Sequence, residues 1–130
     1  MSRMRNHRRN KAFTLVEVLV VVLIIEVLAA FALPAYISEV YASRMGIANA
    51  NARALATAVQ GKAITLGSYD TTLTDYSTDL GGAIPVNPCT GTTNGYSITT
   101  TGNQAKVIAS VGTNCGTWTP MTFTLGYSGE

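Results

Sequence analysis

Charged residues are scarce in this chain, at 12% of its 130 residues. The sole histidine, His7, lies within the first twelve residues. The rest of the chain therefore lacks the side chain that most often serves as a general base or metal ligand. We expect no catalytic residue, no cofactor and no metal ion. The length fits one modest domain and excludes a multi-domain enzyme.

The few charges are unevenly distributed. Residues 1–12 form a basic tip with no acidic residue, and its five cations are Arg3, Arg5, Arg8, Arg9 and Lys11. The other 118 residues carry four basic and seven acidic side chains, which gives them a net charge of −3. The overall charge of +2 thus reflects the tip alone. Because nucleic-acid binding needs basic residues clustered on the folded domain, we predict no direct binding of nucleic acid.

A long apolar run follows the tip at residues 13–33, FTLVEVLVVVLIIEVLAAFAL, where 18 of 21 residues are apolar. About 20 helical residues cross the ~30 Å core of a bilayer. The preceding positive charges orient such a span with its N-terminus in the cytoplasm. We therefore predict a membrane-spanning segment with the remainder of the chain outside the cytoplasm.

A cleaved secretory signal is the alternative, since it also combines a basic start, an apolar run and small residues such as Ala30 and Ala32. This run is longer than a typical signal core, and Glu17 and Glu26 interrupt it. Moreover, Pro34 is followed by another helix-like segment instead of a polar break. These features favour the membrane span.

Residues 35–66 have the periodicity of an amphipathic helix. Their apolar stripe recurs every three or four residues at Ala48, Ala52, Leu55, Val59, Ala63 and Leu66. We predict that the helix ends before Gly67, because glycine is common just after the C-terminus of a helix. Proline lacks the amide hydrogen and clashes with the preceding turn, so we expect Pro34 to kink one helix over 13–66 without dividing it.

Threonine and glycine dominate residues 67–130, which we predict to form a small head. Strands are predicted at 96–101, 106–111 and 117–125, with a hairpin turn at Thr101-Gly102-Asn103 and an irregular loop at 67–88. So small a sheet needs a covering layer, and the helix stripe is the available one. The predicted fold class is α+β, a long kinked helix packed on an antiparallel sheet of three or four strands.

Cys89 and Cys115 both lie in this head. If the tip is cytoplasmic, the head lies outside, where disulfides persist. We predict a Cys89–Cys115 bridge, and the alternative is two free buried thiols.

The sequence combines a basic leader with a small residue before Phe13, the sequence Phe13-Thr14-Leu15-Val16-Glu17, and an apolar run that ends at Pro34. With these features, the leader and the first half of the body resemble the type IV pilins. The chain departs from the family at Ala12, where glycine is usual, and at Glu26, where a small residue is common.

The resemblance implies a maturation and assembly route. Prepilin peptidase would remove residues 1–12, cutting between Ala12 and Phe13, and would methylate the new amine of Phe13. The subunit would then leave the inner membrane and join a surface pilus, using the assembly machinery of the inner membrane and an outer-membrane secretin. Its helix would pack with other copies in the filament core, with Pro34 as part of that assembly helix. The implied roles are adhesion, twitching motility and DNA uptake.

The apolar run contains two acidic side chains, which need an ion-pair or hydrogen-bond partner in an apolar environment. Cleavage creates an ammonium at Phe13, four residues before Glu17, and in an apolar environment the two charges attract strongly. We expect Glu17 to neutralise the amine of Phe13 on an adjacent copy, which would set the axial offset between copies. For Glu26 three interpretations stay open: a neutral, hydrogen-bonded carboxyl in the membrane, an ion pair in the filament, or a stretch of loosened helix before Pro34.

Other features favour structural roles. Asp70, Asp75 and Asp79 match no EF-hand spacing and indicate a solvated loop. The aromatic residues of the head, Tyr96, Trp118, Phe123 and Tyr127, are expected in its core or on strand faces. We expect a major pilin; the alternatives are a minor pilin, a type II secretion pseudopilin or, in a different class, a monomeric membrane-anchored binding domain.

Overall fold

The computed structural model describes residues 12–126. The basic residues of the leader and Tyr127 lie outside this range. Helix α1 spans Leu15–Leu66, and strands β1 (Tyr96–Thr101), β2 (Gln104–Ala109) and β3 (Thr122–Gly126) follow it. Two short 3₁₀ helices occupy Leu73–Tyr76 and Thr113–Cys115. The predicted α+β class, with one long N-terminal helix and a small antiparallel sheet, is confirmed.

The chain divides into two units, one ending at Tyr36 and one beginning at Ile37. The division falls within α1, which continues through Pro34. One helix, and not two, was therefore the correct prediction, while the kink at Pro34 stays a prediction. In the first unit no residue from Ala12 to Tyr36 is buried.

In the second unit, one face of α1 packs on the sheet. Its six buried residues are Ala48, Ala52, Leu55, Ala56, Val59 and Ala63. Four of the six are alanine, and such small side chains allow helix and sheet to approach closely. The predicted stripe was wrong at Leu66, which is 59% exposed because it is the last helical residue, where the packed layer stops. It also omitted Ala56, which follows Ala52 by one helical turn.

The sheet is a three-stranded antiparallel meander in the order β1-β2-β3. Ile98 pairs with Val107, which pairs with Phe123, so these three form one row on the inner face. A two-residue turn, Gly102-Asn103, joins β1 to β2. Gly102 has a φ of 58°, a conformation that glycine adopts without strain, as at the first central position of a type II′ turn.

Three predicted elements need correction. Strand β2 begins and ends two residues earlier than expected, because the turn before it has only two residues and β2 pairs with β1 from Gln104 to Ala109. Strand β3 starts only at Thr122, after Pro120, whose nitrogen has no hydrogen to donate to a ladder. The 67–88 loop is not wholly irregular, because Leu73–Tyr76 forms a 3₁₀ helix and buries Tyr76.

Cys89 and Cys115 form a disulfide, which confirms the predicted pairing. The neighbouring Asn87 is fully buried and organises the same region. Its amide nitrogen donates to the carbonyl oxygens of Gly95 (2.6 Å) and Ser110 (3.1 Å), and its amide oxygen accepts from the backbone N–H of Cys89 (2.9 Å). Asn87 and the disulfide together hold the segment that precedes β1 against the segment that follows β2.

Candidate processing and assembly site

The Ala12–Phe13 peptide bond lies just outside the helix. Ala12, Phe13 and Thr14 are non-helical and exposed, and Phe13 is 85% exposed. Helix α1 starts at Leu15, two residues after this bond. A protease needs an accessible, non-helical backbone at the bond that it cuts, and these residues have both properties.

Thr14 and Glu17 together cap the start of α1. The Glu17 carboxylate oxygen Oε2 accepts from the backbone N–H of Thr14 (2.9 Å) and from its hydroxyl (3.0 Å). The Thr14 hydroxyl oxygen in turn accepts from the backbone N–H of Glu17 (3.2 Å). This reciprocal arrangement is a capping box. It explains why the helix begins at Leu15 and not at Phe13.

The capping box was not predicted from the sequence, although its signal was present. Threonine followed three residues later by glutamate, just before an apolar run, is the pattern of a capping box. The Thr14 nitrogen is an amide nitrogen both before and after removal of residues 1–12. The contact with Glu17 is therefore compatible with both the uncleaved and the cleaved chain.

Glu26 lies nine residues beyond Glu17, which is two and a half helical turns, so the two carboxylates point to opposite sides of α1. A shallow groove on the Glu26 side is lined by apolar residues and by the start of the helix. Within residues 12–126, Glu26 has no hydrogen bond or ion pair. The structure thus distinguishes a carboxylate held by its own chain from one that has no partner there.

The aromatic and aspartate residues of the head have structural surroundings. Tyr96 is buried, and Trp118 and Phe123 are half-buried against the core. Asp70 accepts the backbone N–H of Thr72 at 2.8 Å, and this bond lowers the pKa of its carboxyl. Among residues 12–126, no three His, Cys, Asp or Glu side chains are placed to hold a metal ion together.

Tyr76 joins this loop to α1. Its hydroxyl donates to the backbone oxygen of Asp70 at 2.6 Å, and the Lys62 ammonium lies 4.9 Å from the centre of its ring. Lys62 also donates to the backbone oxygen of Asp75 at 3.1 Å. Burial, together with the charge of Asp70, raises the pKa of Tyr76 to about 12. These contacts have a structural role, since they fasten residues 69–80 to the helix.

Residues 7–33 match a family model described as the prokaryotic N-terminal methylation motif. The chain carries the class III leader of type IV pilins. The motif covers the end of the leader and the apolar run, and it does not extend into the head. Comparisons with curated proteins and with solved structures give no match.

The leader motif and the helix support the same class of protein. In the described part of the chain, α1 is long and apolar enough to cross a membrane, and its most apolar stretch is not buried. The combination fits a membrane-anchored precursor of the type IV pilin or pseudopilin kind. Type IV pilins are structural and not catalytic proteins.

Proposed function

We propose that this chain is the precursor of a type IV pilin, and that its mature form is the major structural subunit of a pilus. The observation that carries this proposal is the methylation motif at residues 7–33, which includes the first part of an exposed apolar helix. A soluble monomer would pay a large cost to keep this surface in water. A subunit that passes from lipid into a filament core keeps it covered throughout.

In this proposal the chain has three parts. Prepilin peptidase removes residues 1–12 and methylates the amine of Phe13. Residues 13–66 form the assembly helix, of which 13–33 span the inner membrane and later lie in the filament core. Residues 67–130 form the head on the filament surface. Delivery uses the inner-membrane assembly machinery and an outer-membrane secretin, and the filament serves adhesion, twitching motility or DNA uptake.

The proposed assembly contact joins Glu17 to the amine of Phe13 on a neighbouring copy. The capping box supports this contact, because the two hydrogen bonds from Thr14 reach Oε2 and leave Oε1 without a donor from the described chain. A carboxylate with one filled oxygen and one open oxygen is oriented to receive an ammonium. Pro34 completes the set of assembly residues.

The decisive measurement is the N-terminus of protein from sheared surface fibres. N-terminal sequencing and mass spectrometry are expected to find methylated Phe13. A chain that retains residues 1–12 in its final form would overturn the proposal and favour a simple membrane-anchored binding domain. In a deletion strain, loss of all fibres indicates the major pilin. Altered fibres indicate a minor pilin, and a secretion defect without loss of fibres indicates a pseudopilin.

Glu17→Ala tests the assembly contact. We expect the variant to be inserted and cleaved normally but to form at least ten-fold fewer fibres, because the amine of the next copy has no counterion. Val16→Ala changes the adjacent residue without removing a charge and serves as the matched control. Fibre yield is measured by shearing and immunoblotting against total protein. Normal fibres from Glu17→Ala would refute this role.

A further inference from the structure

Glu26 interrupts an otherwise apolar face of α1. Val22 and Leu23 precede it by four and three residues, and Ala29 and Ala30 follow it by three and four, so all four lie beside it. Each of them is exposed in the described chain. Towards the N-terminus this side of the helix forms the shallow groove that Leu15, Leu19, Val22, Leu23 and Glu26 help to line. We call this surface the Glu26 face.

Among residues 12–126, Glu26 has no partner from its own chain. Glu17, the nearest other acidic residue, lies on the opposite side of the helix and is held by Thr14. No lysine or arginine occurs between Phe13 and Ser43. A cation from the same apolar segment is therefore not available at this level of the helix.

Depth in the membrane identifies the partner. With a rise of about 1.5 Å per residue, Glu26 lies about 20 Å from Phe13 and about 10 Å from Leu33, inside a hydrocarbon core of about 30 Å. A carboxyl group is most stable there in its neutral form, which has one O–H donor and further acceptor capacity. All copies insert in the same direction because the basic leader stays on the cytoplasmic side. At the depth of Glu26, the polar group that one copy can offer another is a second Glu26.

We propose that the membrane-inserted subunits pair through the Glu26 face, as a parallel two-fold dimer in which the two neutral Glu26 carboxyls hydrogen-bond to each other. Polar side chains join helices in lipid, and small neighbours such as Ala29 and Ala30 allow close approach of the two backbones. A parallel two-fold dimer is self-complementary and places each residue opposite its own copy. The inference rests on the proposed membrane precursor and adds an interface that is separate from Glu17.

Cysteine cross-linking of the full-length protein tests this pairing. The protein is reconstituted in vesicles of phosphatidylcholine and phosphatidylglycerol, which contain no assembly machinery. A single cysteine is added by Val22→Cys on the Glu26 face or, as control, by Leu28→Cys on the opposite side of the helix. Cys89 and Cys115 are already joined to each other. We expect mild oxidation to give at least ten-fold more covalent dimer from Val22→Cys than from Leu28→Cys.

Substitutions of Glu26 then identify the bond. Glu26→Leu, combined with Val22→Cys, is expected to reduce cross-linking to the Leu28→Cys level. Glu26→Gln is expected to preserve it, because an amide also donates and accepts. Equal cross-linking at the two positions, or unchanged cross-linking with Glu26→Leu, would overturn the proposal. Alkaline extraction of the vesicles verifies that every variant is membrane-inserted.

The result is separable from the test of the proposed function. Sheared fibres with a Phe13 N-terminus, together with no preference for Val22→Cys in vesicles, would refute the pairing and leave the pilin assignment intact. A final product that retains residues 1–12 would refute the pilin assignment whatever the vesicles show.

Discussion

Residues 15–36 of α1 expose large valine, leucine and isoleucine side chains, whereas residues 48–63 of the same helix bury mainly alanine. Both stretches are equally helical. The small side chains are covered by the chain's own sheet, and the large ones are covered by nothing in the described chain. Helical structure is therefore common to both regions, while the source of their burial differs.

This difference separates two kinds of stability. In the head, a small core needs additional fixation, which the disulfide, the buried Asn87 and the Tyr76 contacts provide. In the apolar segment, lipid or other copies must supply the cover, and local capping is what the chain itself provides. Substitutions in the two regions should therefore have different consequences.

The largest effect is expected from removal of the disulfide. Cys89→Ser combined with Cys115→Ser should lower the free energy of unfolding of the head by about 3–4 kcal/mol, since a closed loop of this length restricts the unfolded chain. Denaturant unfolding in detergent micelles, followed by near-ultraviolet circular dichroism, measures it. Leu23→Ala is the control in the apolar segment and should leave the same transition unchanged. Equal losses from the two variants would remove the distinction between the regions.

The next largest effect is a pH dependence of the stability of the head, which Tyr76 causes. Its pKa is raised in the folded head to about 12, above a value of about 10 in the unfolded chain, so folding disfavours the ionised phenol. The free energy of unfolding of the head is therefore unaffected by the ionisation of Tyr76 below pH 10. It falls by roughly 2–3 kcal/mol as the pH rises from 10 through 12, because the phenol then ionises more readily in the unfolded chain. Unfolding midpoints between pH 8 and 12 should fall more steeply for the native chain than for Tyr76→Phe. Parallel curves would contradict this role of Tyr76.

Two glycines of the second unit, one in the head and one in α1, should respond to alanine substitution in opposite directions. A Cβ atom at Gly112 would collide with the backbone of Cys89 and Thr90, so Gly112→Ala should cost about 1–3 kcal/mol. Gly61 lies within α1 with open space around its Cα, so Gly61→Ala should stabilise the helix by about 0.5–1 kcal/mol. Thermal unfolding of both variants and the native chain in one buffer shows whether each substitution raises or lowers the midpoint. A destabilised Gly61→Ala would show that something in solution already covers this helix surface.

The smallest effect is expected at the helix start. Thr14→Val keeps the size of the side chain but removes the hydroxyl that caps α1, at a cost of about 0.5–2 kcal/mol. Amide hydrogen exchange in micelles should accelerate at Glu17 and stay unchanged in the head. Thr14→Ser retains the hydroxyl and should preserve the native rates. Acceleration in the head would show that the two regions are coupled.

Several features of the fold could be predicted from local patterns in the sequence. The three- and four-residue spacing of Ala48, Ala52, Leu55 and Val59 identified the buried helix face, and a run of tyrosine, isoleucine and threonine, which favour strands, predicted β1 with its correct bounds. The boundaries of β2 and β3 were not predictable from propensity. They depend on the register that the two-residue turn sets and on Pro120, and threonine-rich sequence looks equally strand-like on both sides of these points.

The candidate site was predicted unevenly for a similar reason. Ala12, Phe13 and Glu17 were predicted from a motif that is contiguous in sequence, and their roles stay predictions, although the match to the methylation motif covers the same residues. The role of Asn87 was not predicted, because its partners Gly95 and Ser110 lie eight and 23 residues away. Hydrogen bonds over such separations leave no local pattern.

The sequence by itself determined that this chain has a basic leader, a long apolar helix and a compact polar head, because charge, hydropathy and helical periodicity are properties of neighbouring residues. The tertiary structure decided that the sheet also covers Ala56, where the strands end, and that the Asn87 side chain bonds to Gly95 and Ser110. These outcomes depend on which groups come close in space, and a linear pattern of side chains contains that information only when the partners are a few residues apart.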